Sequence, residues 1–192
     1  VTITQIISIS VRNMAEREAH EIARETAYHY AELLSKELEA PLNEARAMAD
    51  VLESLSDYSG NLGIEKRTLA NLILKHYVEK NFNFVGIYAC FEPERFDGRD
   101  EFYINALGHD SSGRFVPHWT RDKNDKGTIN PVAYYDLVGF NSFYRIPQET
   151  SQEAVIEPRW QQVQQGQSFN VSLVVPVFRT TGYREFIGVV GI

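Results

Sequence analysis

Apolar residues in the leading part of the chain recur at Ala23, Ala27, Tyr30, Leu34, Leu38, Leu42, Ala45, Met48, Leu52 and Leu55, in steps of three or four. Such steps put the side chains on one stripe of an α-helix. The spacing predicts one long amphipathic helix from Val1 to about Asp57, with the helix formers Ala, Glu, Leu and Arg filling its other positions. Pro41 lacks a backbone donor and predicts a kink or a split near Ala40. A stripe this long exceeds what one small domain can cover. Its N-terminal half is therefore expected to pair with the same helix of a second copy, giving a homodimer.

Turn-forming residues follow at Tyr58-Ser-Gly-Asn-Leu-Gly63. A second helix is predicted from about Ile64 to Lys80, with Leu69, Leu72, Ile73, His76 and Tyr77 on its inward face and His76 as a core histidine. After Asn81 the pattern changes. Phe84 to Phe91 is a mostly apolar, β-branched and aromatic run of the kind found in central strands. Shorter strands are predicted at 102–104, 115–120 and 154–156, and stronger ones at 169–178 and 186–192, joined by a hairpin turn at 179–184. The expected fold class is α+β: a long N-terminal helix, then an antiparallel sheet with flanking helices and long pocket-forming loops. The division falls near residue 60, with 1–60 as a signalling and dimerisation helix and 61–192 as a ligand-binding module.

Composition narrows the classes of function. In 192 residues, 43% are apolar and 23% charged, which excludes a disordered chain. The formal net charge is −7 and no Lys/Arg-rich run is present, so the electrostatic footprint of a nucleic-acid binder is missing. Much of the acidity lies on the first helix, where it reads as a solvated face. Cys90 is the only cysteine, which excludes an intramolecular disulfide and paired-cysteine metal or redox motifs. It reads as a small buried hydrophobe on a strand. No run of about eighteen apolar residues spans a membrane. The missing initiator Met and the ending Gly188-Val-Val-Gly-Ile192 lead us to expect a fragment of a longer protein.

The segment from Glu92 to Pro158 is long, irregular and aromatic, with Phe96, Phe102, Tyr103, Phe115, Trp119, Tyr134, Tyr135, Phe140, Phe143 and Tyr144. A structured excursion of this length is usually functional, and aromatic walls with a few polar heads suit a small-molecule pocket. The polar heads available are Arg121, Asp136, Arg145, Glu157 and Arg159. Trp119 and Arg121 stand two apart on a strand and so share a face. The expected ligand-binding set is Trp119, Arg121, Tyr135, Asp136, Tyr144, Arg145 and Glu157. A guanidinium there favours a ligand bearing a carboxylate.

Catalytic and metal motifs do not assemble. Asp122 to Gly127 echoes a calcium loop, but Lys126 and Ala133 fall where oxygen ligands belong. Asp97, Asp100, His109 and Asp110 are read as turn and capping residues. Neither a catalytic residue, a metal nor a cofactor is expected, and the chain does not read as an enzyme.

The long leading helix, Val85-Gly-Ile-Tyr88, Glu92 to Asp100, Gly113-Arg-Phe-Val-Pro-His-Trp-Thr-Arg121, Phe143-Tyr144, Val155-Ile-Glu-Pro158, Val171 to Val177 and Phe186 to Ile192 occur in a telling order. As an ordered set they resemble the membrane-distal module of double-Cache (PDC-like) sensor domains of methyl-accepting chemotaxis proteins. The resemblance implies a PAS-like sheet and a periplasmic domain of a membrane-anchored receptor that senses a small molecule. It also implies a long helix that carries the signal. The same fold could serve a histidine kinase or a diguanylate cyclase. Amino-acid-binding members carry an Arg before a Trp-Tyr pair, and a Tyr and an Asp after Glu-Pro. Here the matching stretches read Asn141-Ser-Phe143-Tyr144 and Arg159-Trp160-Gln161, so only Tyr144 is kept. An organic acid or another anion is the expected ligand.

Overall fold

The change of period at Asn81 marks the passage from helices to sheet. In the computed structural model, which describes residues 3–121, 126–139, 141–163, 166–179 and 182–192, two helices precede it: α1 (Ile3–Asp57) and α2 (Lys66–Lys80). Then come β1 (Gly86–Phe91), a 3-10 turn at Asp100–Tyr103, β2 (Pro117–Arg121), β3 (Gly127–Pro131), α3 (Ser142–Thr150), β4 (Ala154–Val163), β5 (Gly166–Arg179) and β6 (Glu185–Gly191). The six strands form one antiparallel sheet in the order β3-β2-β1-β6-β5-β4. This is the expected α+β architecture.

The chain divides into two units, 1–40 and 41–192. The helical hydrogen-bonding pattern of α1 runs through Pro41, so the proline does not split the helix, although the boundary between units falls there. In the first unit α1 is solvated. Ile3, Ile7, Val11, Met14, Ile22, Tyr30 and Leu34 are exposed, and the Arg12–Glu16 and Glu32–Lys36 pairs span one turn each at 2.9 Å. In the second unit the same stripe is core: Leu42, Ala45, Met48, Leu52 and Leu55 are buried. Two ion pairs fasten this part of α1. Arg46 donates to both oxygens of Glu153 at 2.7 and 2.5 Å, and Arg179 at the end of β5 donates to Asp57 at 2.7 Å.

On α2 the inward row is Arg67, Ala70, Leu74 and Val78, whereas Leu72 and His76 are exposed. His76 is therefore not a core histidine. The rotation has a cause in Arg67, a charged residue at an inward position that the apolar pattern passes over. Its guanidinium is buried and donates to both oxygens of Asp97, to Asp100 and to the Gly113 carbonyl at 2.7 Å. Of residues 102–104, expected as a strand, Phe102 and Tyr103 belong instead to the 3-10 turn that this cluster holds, and Ile104 caps it. Gly113 adopts φ +84, and a Cβ there would lie 1.8 Å from the Asp100 carbonyl oxygen, so only glycine fits.

Period-two alternation gives the sheet two distinct faces. Ile87, Ala89 and Phe91 of β1 and Trp119 of β2 are buried on one, where α2 packs. On the other, Cys90, Val116, Val132, Ile156, Val174 and Val189 form a core with Tyr144 of α3. β3 and α3 were not among the expected elements, and β4 is longer than 154–156, with a register shift between Ile156 and Arg159.

Candidate ligand-binding site

The face covered by α3 carries the chemistry. In α3, Tyr144 and Pro147 lie one turn apart and are buried against the sheet, while Arg145 and Glu149 point outward and pair at 3.8 Å. This turns the Tyr144 hydroxyl towards the loop between β1 and β2. The Arg114 guanidinium sits over the Tyr135 ring at 4.7 Å and the Tyr144 ring at 5.2 Å. It donates to the Tyr144 hydroxyl at 2.6 Å and to the Phe91 carbonyl, and lies 4.0 Å from Glu92. The Tyr144 hydroxyl in turn donates to Glu92, which also accepts from Gln148 at 2.8 Å. Tyr135 donates to Asp110, whose other oxygen accepts from the Ser112 hydroxyl and from the Ser112 and Arg114 backbone amides.

Burial and these partners set the protonation states. Burial pushes the Tyr144 and Tyr135 phenols up, and the neighbouring carboxylates push them the same way. Burial works to raise Asp110 as well, but the hydrogen bonds from Tyr135 and Ser112 outweigh it and its carboxyl lies below the usual range. Cys90 beneath this cluster is fully buried, and desolvation pushes its thiol up to about 12, so it packs as a small hydrophobe.

Away from the Arg114 cluster the same face turns polar, and at its β4 end Arg159 donates to Ser142 Oγ of α3 at 3.3 Å. A row of register partners crosses it from Gly191 through Tyr88 and His118 to Asn130. Tyr88 Oη lies 2.8 Å from Ser172 Oγ, and the Tyr88 ring meets His118 and Phe143 edge-on at 5.8 and 5.4 Å. Desolvation alone lowers the His118 imidazole to about 4, so it is neutral near pH 7.

The structure places the expected residues on different sides of the sheet. Trp119 and Arg121 share one face, as their spacing implies, and that face meets α2. Trp119 Nε1 donates to Asn71 Oδ1 at 3.0 Å, and Arg121 donates to the Asn81 carbonyl at 2.9 Å and to that of Phe84. Tyr135 and Tyr144 come together on the opposite face. Asp136 is exposed beside them, close enough for its charge to bear on Cys90. Arg145, Glu157 and Arg159 are exposed. Phe140 lies outside the described residues, as do 122–125 of the rejected calcium-like loop and Thr180 and Thr181 of the expected hairpin turn. Sequence reasoning passed over Arg114 and Glu92, and also Tyr88, His118 and Ser172; it read Asp110 as a turn residue, a role that Asp110 fills by accepting from the Ser112 and Arg114 amides. The available signal for His118 was its place directly between Pro117 and Trp119, which puts it on the face opposite theirs. Among the described residues no group of three or more His, Cys, Asp or Glu side chains could hold a metal. Two surface clefts of about 470 and 350 Å³ lie elsewhere, one along Gly60–Lys66 and one between α1 and Val175–Phe178.

No family profile matches the chain. The extracellular domain of a protein assigned as histidine kinase mmHK1S-Z2 superposes with a TM-score of 0.72 at 34% identity, over 90% of this chain and 59% of that one. The methyl-accepting chemotaxis protein TlpQ of Pseudomonas aeruginosa is 28% identical over 108 residues, which make up 50% of this chain and 15% of that protein. The chain is thus similar to extracellular domains of signal-transducing receptors. A methyl-accepting chemotaxis protein X shares the fold with a TM-score of 0.58 at 22% identity, over 84% of this chain and 58% of its own length. This chain thus spans little more than half of the solved domains it resembles. These likenesses agree with the expected α+β fold, and the domain of mmHK1S-Z2 is an extracellular one. Among the described residues, no helix is long and apolar enough to cross a membrane.

Proposed function

We propose that this domain is the ligand-binding part of a membrane-anchored chemoreceptor and that its ligand is a small molecule seated on the α3 face of the sheet. The observation that carries the reading is the Arg114–Tyr135–Tyr144 stack, a preorganised polar and aromatic rim above an apolar floor. The exposed apolar side chains of α1 before Pro41 support a homodimer through this helix. Ligand binding then needs only to favour one of two helix arrangements, for which a difference of about 1–3 kcal/mol suffices.

A thermal-shift screen of the domain against small metabolites tests the reading, since a ligand of the folded state alone must raise the melting temperature. At least one compound is expected to do so in wild type and to fail with Arg114→Ala. An organic anion engaging Arg121, as the sequence implies, would instead lose its effect with Arg121→Ala. Failure of a broad metabolite set to shift a folded, monodisperse protein would overturn the reading. The second reading, a histidine kinase sensor, is favoured by the 34% identity to the extracellular domain of a histidine kinase. The output module of the parent protein separates the two.

A further inference from the structure

His109 lies in a slot of the loop between β1 and β2, only 5% exposed, with the Tyr103 ring stacked on it at 4.9 Å and Phe115 at 5.4 Å. Its Nδ1 lies 2.9 Å from the Leu107 carbonyl oxygen, which can only accept, so the ring proton sits on Nδ1 and Nε2 carries a lone pair. That Nε2 is buried and makes no hydrogen bond among the described residues. Charged groups reach the ring from two elements: Arg67 from α2, and Asp97 and Asp100 from the loop, with Glu65 one step away on the Tyr103 hydroxyl. Arg67 opposes a second proton on the ring. The two carboxylates favour one, but their four oxygens already accept from Arg67 or from the Glu94 amide. An Nε2–H formed in the slot would face no acceptor, and a buried cation without a partner is strongly disfavoured.

The next residue anchors the rim of the proposed site. Asp110 accepts from Tyr135 and from the Ser112 and Arg114 amides. Its own amide reaches the Arg114 carbonyl at 3.4 Å, beside the isolated bridge between His109 and Phe115. We propose that His109 is an acid-operated pin: its neutral ring seats this loop, and the protonated ring leaves the slot and unseats Asp110 and, with it, Tyr135. The link to sensing rests on the rim being the ligand site, whereas the pin itself does not. The released ring takes its proton at the ordinary histidine value of about 6.5, and the seated ring only at a lower one. Between those two values each unit of falling pH multiplies the open population about tenfold, the signature of one linked proton. Asp110, held below the usual carboxyl range, keeps its charge throughout, so the change is one of position.

The experiment is hydrogen exchange of the whole chain, detected by NMR from about pH 7.5 to 5 and corrected for the intrinsic exchange rate. The amides of Asp110 and Arg114 report the loop, and those of Val189 and Val190 in β6 report the fold. In wild type the loop amides should lose protection about tenfold per pH unit below about 6.5, with the Tyr135 ring signals moving alongside and β6 unchanged. His109→Phe fills the slot without a titrating atom and should keep the loop protection flat. His109→Gln, also without a titrating atom, should do the same and serves where the larger ring disturbs folding. A flat profile in wild type, a slope that β6 shares, or the wild-type slope retained in either folded variant overturns the pin. The metabolite screen is independent of these results, so the sensor reading stands or falls separately.

Discussion

The guanidinium carbon of Arg67 sits over the ring of Tyr103, 4.3 Å from its centroid, while its nitrogens donate to Asp97, Asp100 and the Gly113 carbonyl. One buried cation thus holds the loop between β1 and β2 against α2. That loop also carries Asp110 and Arg114, so the latch lies behind the rim of the site.

Removing the latch cation should be costly. Arg67→Met leaves Asp97 and Asp100 buried without their partner, and breaking such a cluster typically costs about 3–5 kcal/mol. Urea denaturation followed by circular dichroism checks the loss. The triple change with Asp97→Asn and Asp100→Asn should recover part of it, because no charge is then stranded.

Acid should weaken the fold through its histidines. His109 is buried between Tyr103 and Phe115, its Nε2 makes no hydrogen bond among the described residues, and desolvation lowers it; His118 is lowered to about 4. A group with a folded pKa below its unfolded value of about 6.5 binds fewer protons when folded. Its contribution is complete above about pH 6.5 and declines as the pH falls towards the folded values. Melting temperatures from about pH 7.5 to 5 should therefore fall in wild type and fall less in His109→Gln, which cannot take up the proton. Equal slopes would remove His109 from this account.

Tyr144→Phe tests the rim. The change deletes the hydroxyl that accepts from Arg114 and donates to Glu92 while keeping the ring. We expect a loss of about 1–3 kcal/mol from the two stranded partners, read by chemical denaturation, and a smaller thermal shift with any ligand that raises wild type.

The two parts of α1 should respond oppositely to truncation. Leu52→Ala empties a fully buried position and should cost about 2–5 kcal/mol, whereas Leu34→Ala at an exposed one should stay within about 0.5 kcal/mol in the monomer. Sedimentation velocity then addresses the proposed pairing. Ile7→Glu with Met14→Glu should shift the protein towards monomer without lowering the stability of the sheet, and an unchanged dimer would move the interface elsewhere.

Which features the sequence reveals follows from what each pattern encodes. The helical period from Ala23 to Leu55 and the apolar runs of β1, β5 and β6 are visible because a buried stripe or central strand demands apolar residues at fixed intervals. The face of α2 is obscured by Arg67, whose burial depends on two carboxylates thirty or more residues away. α3 is hidden by Pro147 and by its mostly polar content. Period two shows that Trp119 and Arg121 share a face, but it does not say which side of the sheet a helix will cover. That single undetermined choice separates the expected set from Arg114 and His118, since α2 covers the side that Trp119 and Arg121 occupy.

The two ion pairs that fasten α1, Arg46 with Glu153 and Asp57 with Arg179, have a mechanical meaning. Their anchor points on the helix are eleven residues apart, or about 16 Å at the α-helical rise. A rod bolted at two points to neighbouring parts of one sheet edge resists sliding along its own axis, because a slide must stretch both charge-assisted pairs at once. It is free to tilt when the ground beneath its bolts twists. A ligand at the site proposed on the far side of the sheet would then act on α1 without touching it, by changing the angle between the ends of β4 and β5.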